Sequence, residues 1–336
     1  MKEAMSSREM EKVIISIIIV NYRGWSSLIE CLDSLMALSQ KELKFEVIVI
    51  DNFSNDGQFE IVSKAYLQFR FVENVDNNGF ANGCNLGAEL ANGEFLLFLN
   101  PDTKVRVGVL EVLLKTYLHD PEIGILSCLQ IDEDGSLAKQ NKLFPIFSRF
   151  FGIFRSIDRI LNKQFYAERF SQSQEDIFYP DWVSGSVVFI RRDWFDKIAG
   201  WNEDYWLYFE DVDFSKKMSN MGGKVAVTRL ATIYHEHGGA SRINVKTKAL
   251  TKTEVIISKH VYISNHFKSL QAFMLHFLMI TGFMLERILL AVLGIILFFN
   301  KKLKVNIYIL KNLMNYYLNA LKHKTWISPR SVNYRK

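Results

Sequence analysis

Five consecutive apolar residues, Phe95-Leu96-Leu97-Phe98-Leu99, run without a break into Asn100-Pro101-Asp102. The run is too short for an ordinary helix and reads as a strand buried on both faces. Proline then ends the ladder, because it has no N–H to give, and it holds the preceding residue extended. Asp102 is thereby fixed at the carboxyl end of a central strand, the edge where open α/β sheets take their ligands. Taken alone, strand–Pro–Asp is an ordinary turn; the rest of the chain argues for more.

Upstream, Val13–Val20 is β-branched almost throughout and ends in Asn21-Tyr22-Arg23-Gly24. Phe45–Ile50 ends in Asp51-Asn52-Phe53-Ser54-Asn55-Asp56-Gly57, and Phe69–Val72 leads to Asn77-Asn78-Gly79-Phe80. Helical patterns separate these strands. Leu28, Leu32, Leu35 and Met36 share one stripe, a second helix is predicted over 58–67, and a third ends near Ala91. Alternation at this spacing predicts a parallel, Rossmann-like sheet over residues 13–103. Its strands all close in polar or glycine-bearing turns on one edge, which outlines a nucleotide cleft.

Residues 104–245 read as a second half of the same domain. A helix is predicted near 107–118, a strand over Gly124–Ile131 and a turn over Asp132–Ser136, followed by a weakly patterned, aromatic and basic insert at 140–178. Trp182-Val183-Ser184-Gly185-Ser186 opens an apolar strand to about Ile190, and Gly200-Trp201-Asn202-Glu203 is a loop. Glu210-Asp211-Val212-Asp213 starts a helix, Lys224–Thr228 is a strand, and His235-Glu236-His237-Gly238 is a polar turn.

The 336 residues carry a formal charge of +5, much of it near the C-terminus. That is no nucleic-acid footprint. Cys31, Cys84 and Cys128 are odd in number and widely spaced, which suggests reduced thiols and neither a disulfide framework nor a zinc site. Residues 1–12 are polar and mixed in charge, so the run after them reads as a first strand and not as a leader.

Residues 246–336 form a helical, apolar and basic region. Ala272–Phe299 is strongly apolar but contains His276 and the pair Glu286-Arg287. A spanning helix would place that pair near mid-bilayer, at roughly 2.5–3.5 kcal/mol per charge, and the uninterrupted parts fall short of the roughly 20 residues a span needs. Beyond it, Leu303, Ile307, Leu310, Met314, Tyr317 and Leu321 recur at helical spacing, with Lys304, Lys311, Asn315 and Lys322 on the other side. Such a helix suits the plane of an anionic leaflet. The other reading is a helical pair packed on the domain, as at a homodimer interface.

Together these segments resemble the family 2 glycosyltransferases, an α/β class with the GT-A fold: a Rossmann-like nucleotide-binding sheet joined to an acceptor-binding half. The resemblance covers roughly residues 13–242. It rests on Asn21-Tyr22, Asp51-Asn52-x-Ser54-x-Asp56-Gly57, Asn78-Gly79-Phe80-Ala81-x-Gly83-x-Asn85-x-Gly87, Asn100-Pro101-Asp102, Trp182-x-Ser184-Gly185, Glu210-Asp211-x-Asp213 and His237-x-x-x-Ser241. The Asn-Pro-Asp variant and the apolar, basic tail look most like the branch that adds L-rhamnose from dTDP-rhamnose to lipid-linked glycans at the cytoplasmic membrane face.

The resemblance implies a role for each position. Asn21, Tyr22, Asp51, Asn78, Gly79, Asn85 and Asn100 would bind the nucleotide sugar, Asp51 by accepting the imide N–H of thymine or uracil. Asp102 would hold a divalent metal, Mg²⁺ or Mn²⁺, against the diphosphate, with His237, or His235 in its place, as a further ligand. Asn100 departs from the commoner Asp-x-Asp pattern, which leaves one carboxylate for the metal. Asp211 would be the catalytic base of an inverting displacement, flanked by Glu210 and Asp213. Trp182, Ser184, Gly185 and Trp201 would line the sugar or acceptor pocket. Each position also has a plain structural reading: an Asx turn for Asp51, helix-capping acids at 210–213, core packing for Trp182. The alternatives in function are another donor (UDP-galactose, UDP-galactofuranose or UDP-glucose), a nucleotidyltransferase, for which Asn21-Tyr22-Arg23-Gly24-Trp25 is a poor phosphate loop, and a non-catalytic membrane or glycan-binding protein.

Overall fold

The computed structural model describes residues 13–38, 43–132, 134–138, 142–236, 244–297 and 300–334. The polar tail, His237 and Ser241 lie outside them. The first half runs β1 (Ile15–Asn21), α1 (Trp25–Met36), β2 (Phe45–Asp51), α2 (Gln58–Ala65), β3 (Arg70–Glu73), α3 (Phe80–Leu90) and β4 (Phe95–Leu99). These strands pair in parallel in the order β3-β2-β1-β4, as the alternating pattern predicts. On one face of the sheet α1 buries Trp25, Leu28, Cys31, Leu32 and Leu35; Met36 stays exposed at its end. On the other, α3 lies hard against β1: a Cβ on Gly83 would come within 2.7 Å of Val20, and one on Gly87 within 2.4 Å of Ile18. Small residues one turn apart are what allow that approach.

The second half adds β5 (Thr103–Lys104), α4 (Val109–His119), β6 (Ile123–Ile131), a 3₁₀ turn at Phe147–Phe150, α5 (Gly152–Leu161), α6 (Lys163–Gln172), β7 (Ile177–Phe178), β8 (Val187–Arg191), α7 (Arg192–Lys197), α8 (Glu210–Asn220) and β9 (Lys224–His235). The sheet continues from β4 through β8, β6 and β9 to β5, and becomes mixed because β8 runs antiparallel to both neighbours. Three elements differ from the sequence expectation. The apolar strand begins at Val187, since Trp182–Ser186 is a loop held by Asn100 N–H on Ser186 O (3.0 Å). The last strand continues through a bulge opposite Cys128/Leu129 to His235, so His235 ends a strand and does not open a turn. The weakly patterned insert contains two helices, α5 and α6.

The C-terminal region is α9 (Val245–His266), α10 (Ser269–Ile296) and α11 (Lys301–His323). It is bonded into the catalytic half: Ser258 Oγ donates to Leu207 O (2.8 Å), Ser331 Oγ to Glu203 O (2.6 Å) and Asn333 Nδ2 to Asp204 Oδ1 (2.8 Å). α10 is one continuous helix of 28 residues, the one helix among the described residues long and apolar enough to cross a membrane by length and composition. The argument from short uninterrupted parts therefore falls, while the charged pair remains: Arg287 bonds Asn306 (2.6 Å) on α11 and lies 3.4 Å from Glu286. On α11 the buried face is Val305, Ile309, Leu313, Tyr316, Tyr317 and Ala320, packed on α9 and α10. The predicted stripe is its flank, where only Met314 and Leu321 are exposed. Periodicity alone does not tell a buried face from its neighbour when both are apolar.

Candidate active site

The carboxyl ends of β1, β2 and β4 gather the polar turns on one edge. Asn21 and Asp51 are fully buried and pair in register on adjacent strands. The Asp51 carboxylate accepts Asn21 Nδ2 (3.0 Å) and Ser54 Oγ (2.6 Å) on Oδ1, and Ser54 N–H (2.8 Å) on Oδ2. It therefore serves as an Asx-turn residue and keeps lone-pair capacity on Oδ2. Burial pushes its pKa up against those bonds. Tyr22, 40% exposed, presents its ring beside this turn.

The 77–80 turn is tied to the loop that precedes the acids. Phe80 N–H donates to Trp206 O (3.0 Å), Trp206 Nε1 to Asn77 O (2.9 Å), and Asn52 Nδ2 to Gly79 O (2.8 Å). Gly79 sits at φ +93° with Trp206 O only 2.3 Å from where a Cβ would be. Asn78 is buried in the same turn. Asn85 departs from the expected donor contact. Its amide clasps Trp201 N and O (both 2.9 Å) and Glu203 (2.9 Å), so both ends of it are spent on the 201–203 loop. Trp201 departs too: it is 2% exposed and stacked on Phe214 at 4.1 Å, a core residue and not a pocket wall.

Loop 182–186 joins the two acids. On one side Asn100 N–H donates to Ser186 O, and Ser186 Oγ donates to Gln130 Oε1 (2.8 Å). Gln130 Oε1 also lies 2.9 Å from His235 Nδ1, and His235 Nε2 lies 3.2 Å from Asp102 Oδ1. With Nδ1–H given to Gln130, Nε2 of a neutral imidazole turns its lone pair toward a carboxylate oxygen. Two acceptors face each other, an arrangement that a shared proton or cation stabilises. On the other side Gly185 N–H donates to Asp211 Oδ2 (3.3 Å), and Asp211 Cβ is 3.6 Å from a Cβ placed on Gly185. A cavity of about 380 Å³ opens between, lined among others by Gln130, Asp132, Lys142, Trp182 and Ser184. Neither Asp102 nor Asp211 is on its wall: Asp102 reaches Gln130 through His235, and Asp211 holds Gly185, next to Ser184.

The three acids at the start of α8 have different surroundings. Tyr208 and Phe209, immediately before them, have positive φ (69° and 67°), a strained entry that non-glycine residues adopt at functional sites. Glu210 is buried and its Oε2 has no hydrogen bond; burial and the adjacent Asp211 push its pKa well up. Asp211 is raised by burial and pulled back by Lys142 and by the Gly185 and Val212 N–H groups. Both acids are pushed up by burial, and only Asp211 has an ammonium, Lys142, pulling it back. Asp213 departs from the expected cluster: buried, it takes the His266 imidazole (2.7 Å) and Tyr205 OH (3.3 Å) and so anchors α9. Lys142, unremarked in the sequence, stands over the Trp182 ring at 4.5 Å. Only its arrival from the insert reveals it.

The profile of glycosyl transferase family 2 matches residues 16–199, more than half of the chain. The chain belongs to this family. It is 24% identical over 238 residues to N-acetylglucosaminyl-diphospho-decaprenol L-rhamnosyltransferase of Mycobacterium tuberculosis, covering 66% of this chain and 76% of that one. Among solved structures it is similar to GalNAc-T7 with UDP, GalNAc and Mn²⁺ (TM-score 0.52, 18% identity, 76% of this chain and 51% of that one). It is also similar to the mannosyltransferase PcManGT of Pyrobaculum calidifontis in complex with GDP-Man and Mn²⁺ (TM-score 0.52, 17% identity, 79% and 68%). The chain thus spans about half the length of GalNAc-T7, and at these identities the likeness is one of fold, the GT-A type. As a family 2 glycosyltransferase it has a single carboxylate, Asp102, where a metal would be expected, with His235 beside it. Among the described residues no three His, Cys, Asp or Glu side chains are placed to hold a metal ion together. One carboxylate and one imidazole fit a cation that takes its remaining ligands from diphosphate and water.

Proposed function

We propose that this family 2 glycosyltransferase moves a sugar with inversion from a nucleotide donor, L-rhamnose from dTDP-L-rhamnose, to a lipid-linked glycan acceptor during cell-surface polysaccharide synthesis at the cytoplasmic membrane surface. The observation that carries the transfer chemistry is the Asp211 side chain, held by Gly185 N–H beside a cavity at the carboxyl edge of the sheet. The donor and acceptor classes are supported by the likeness to the mycobacterial rhamnosyltransferase and by the exposed, apolar α10.

In this reading the base and sugar of the donor lie across the turns after β1, β2 and β4, with Tyr22 and the free lone pair of Asp51 toward the base. The acceptor enters by the Trp182–Ser184 wall. Its hydroxyl oxygen attacks the anomeric carbon from the face opposite the diphosphate, Asp211 takes the hydroxyl proton, and the C–O bond to the diphosphate breaks with its electron pair on phosphate. Asp102 and His235 would hold a divalent metal, which when bound neutralises the departing charge.

A panel of dTDP- and UDP-sugars, with and without Mn²⁺, followed by nucleoside diphosphate release, tests this. Turnover confined to dTDP-rhamnose supports it; turnover confined to a UDP-hexose replaces the donor, and none with any donor refutes transfer. Lys142→Met gives a second test. Loss of the ammonium removes what lowers the Asp211 pKa, so the carboxyl pKa rises and the acidic limb of kcat/KM moves to higher pH, with activity recovered on the alkaline side. An unmoved limb would mean that a group other than Asp211 sets it.

A further inference from the structure

The insert between Lys142 and Trp182 has a use beyond walling the cavity. Its backbone meets the loop at both ends: Asp181 N–H donates to Lys142 O (3.0 Å) and Trp182 Nε1 to Leu143 O (3.1 Å). From there the chain passes directly into α5, which packs almost nothing. Phe154, Ile157, Ile160 and Leu161 are 48%, 45%, 75% and 76% exposed, and at 100° per residue they fall within one stripe about a third of the circumference wide. Arg155 and Arg159 occupy the opposite side, and Lys163 follows at the start of α6. None of these three has a carboxylate partner among the described residues, whereas Arg149 and Arg169 are taken by Asp158 (3.2 Å) and Asp181 (2.6 Å). An apolar stripe backed by unpaired cations is the make-up of a helix that lies in a lipid interface.

A second exposed apolar stripe lies next to it. On α10 Phe273, Phe277, Leu285, Leu289, Val292 and Ile296 are each at least half exposed. The segment leading into α5 shares a core cluster with α10. Phe147, Phe150 and Phe151, leading into α5, pack in the same cluster as Leu275 and Met279 of α10. The Lys259 ammonium on α9, over the Phe283 ring of α10 at 5.4 Å, feels both Arg155 of α5 and Glu286 of α10.

We propose that α5 and the exposed side of α10 form one docking surface for an anionic lipid bilayer, with α10 buried in the acyl boundary and the Arg155, Arg159 and Lys163 cations on acidic headgroups. The Trp182 cavity then opens beside the membrane plane. This deepens the membrane-surface location proposed above and rests on it. The occupant is a bilayer and not a second copy, because like cations facing each other across a two-fold axis would repel, whereas acidic headgroups neutralise them.

Flotation of the full chain with phosphatidylcholine vesicles, with and without phosphatidylglycerol, tests the surface. The triple variant Arg155→Gln/Arg159→Gln/Lys163→Gln is expected to partition on the order of 100-fold more weakly onto the anionic vesicles and to equal the wild type on neutral ones. Phe154→Ser/Ile157→Ser/Leu161→Ser, all exposed positions, is expected to weaken both. Both variants should turn over a short-chain, water-soluble acceptor analogue at the wild-type rate. Wild-type binding by both variants on every vesicle overturns the proposal, as does a shift of a monomer–dimer equilibrium on size-exclusion chromatography without a change in flotation. Failure of the wild type itself on the analogue counts against the transfer reading and leaves the flotation result standing.

Discussion

Asp211→Asn is expected to lower kcat by about 10²–10⁴-fold while leaving the fold and donor binding intact. The substitution keeps the side-chain volume, and its carboxamide oxygen still accepts either the Gly185 or the Val212 N–H, at 3.3 and 2.8 Å in the native protein. What it removes is the proton acceptor. Glu210 is no substitute: it is buried, its pKa is pushed well up, and it lies at the helix start toward Cys84 of α3. Nucleoside diphosphate release reads the loss, and calorimetric titration of the donor shows that binding persists. Activity within about tenfold of wild type would place the base elsewhere.

Gly79→Ala is expected to have the largest effect on stability, on the order of 3–5 kcal/mol, with activity lost alongside. At φ +93° and ψ 173° the residue occupies a region essentially closed to side chains, and the new methyl would stand 2.3 Å from Trp206 O and 2.8 Å from its Cα. Both obstacles are backbone, so no rotamer change relieves them. The same contact joins the donor turn to the loop that delivers Asp211, so a displacement there opens the cleft between the two halves. Gly57→Ala and Gly108→Ala are the controls: both have positive φ (76° and 86°) but nothing within 4 Å of a Cβ. They are expected to cost only the local strain of roughly 1–2 kcal/mol. Thermal unfolding of the three variants separates strain from collision, and equal losses in all three would show that the Trp206 contact has little weight.

Much of the donor half is legible because its signals are local. β1, β2 and β4 are runs of Ile, Val, Phe and Leu that bury both faces, and each ends in or runs straight into a residue proposed for the site: Asn21, Asp51, and Asn100 before Asp102. A register shift in such a strand would carry core residues to the wrong side of the sheet, so the pattern specifies the edge. Asp211 is legible for a similar reason, being an acid in the first turn of a helix that follows a run of aromatics.

What stays hidden depends on a partner far along the chain. Asn85 belongs to the family pattern and Trp201 to the expected pocket, yet they meet each other across 116 positions and spend themselves on packing. Asp213 sits two residues from Asp211 but, projecting from a different side of α8, finds His266 of α9. His235 reaches Asp102 because β9 runs on past its bulge to pair with β5. Lys142 acquires a role only when the insert folds its amine over Trp182.

The sequence by itself determined the parallel sheet, the edge that carries the polar turns and the acid that begins α8. Side-chain alternation, proline and glycine act within a few residues and leave little choice there. Which acids are buried, which tryptophan is core and which side of α10 and α11 faces outward were decided by the tertiary structure alone. Desolvation, close packing and the pairing of charges are set by whatever neighbour the fold brings up, and that neighbour lies tens of residues away.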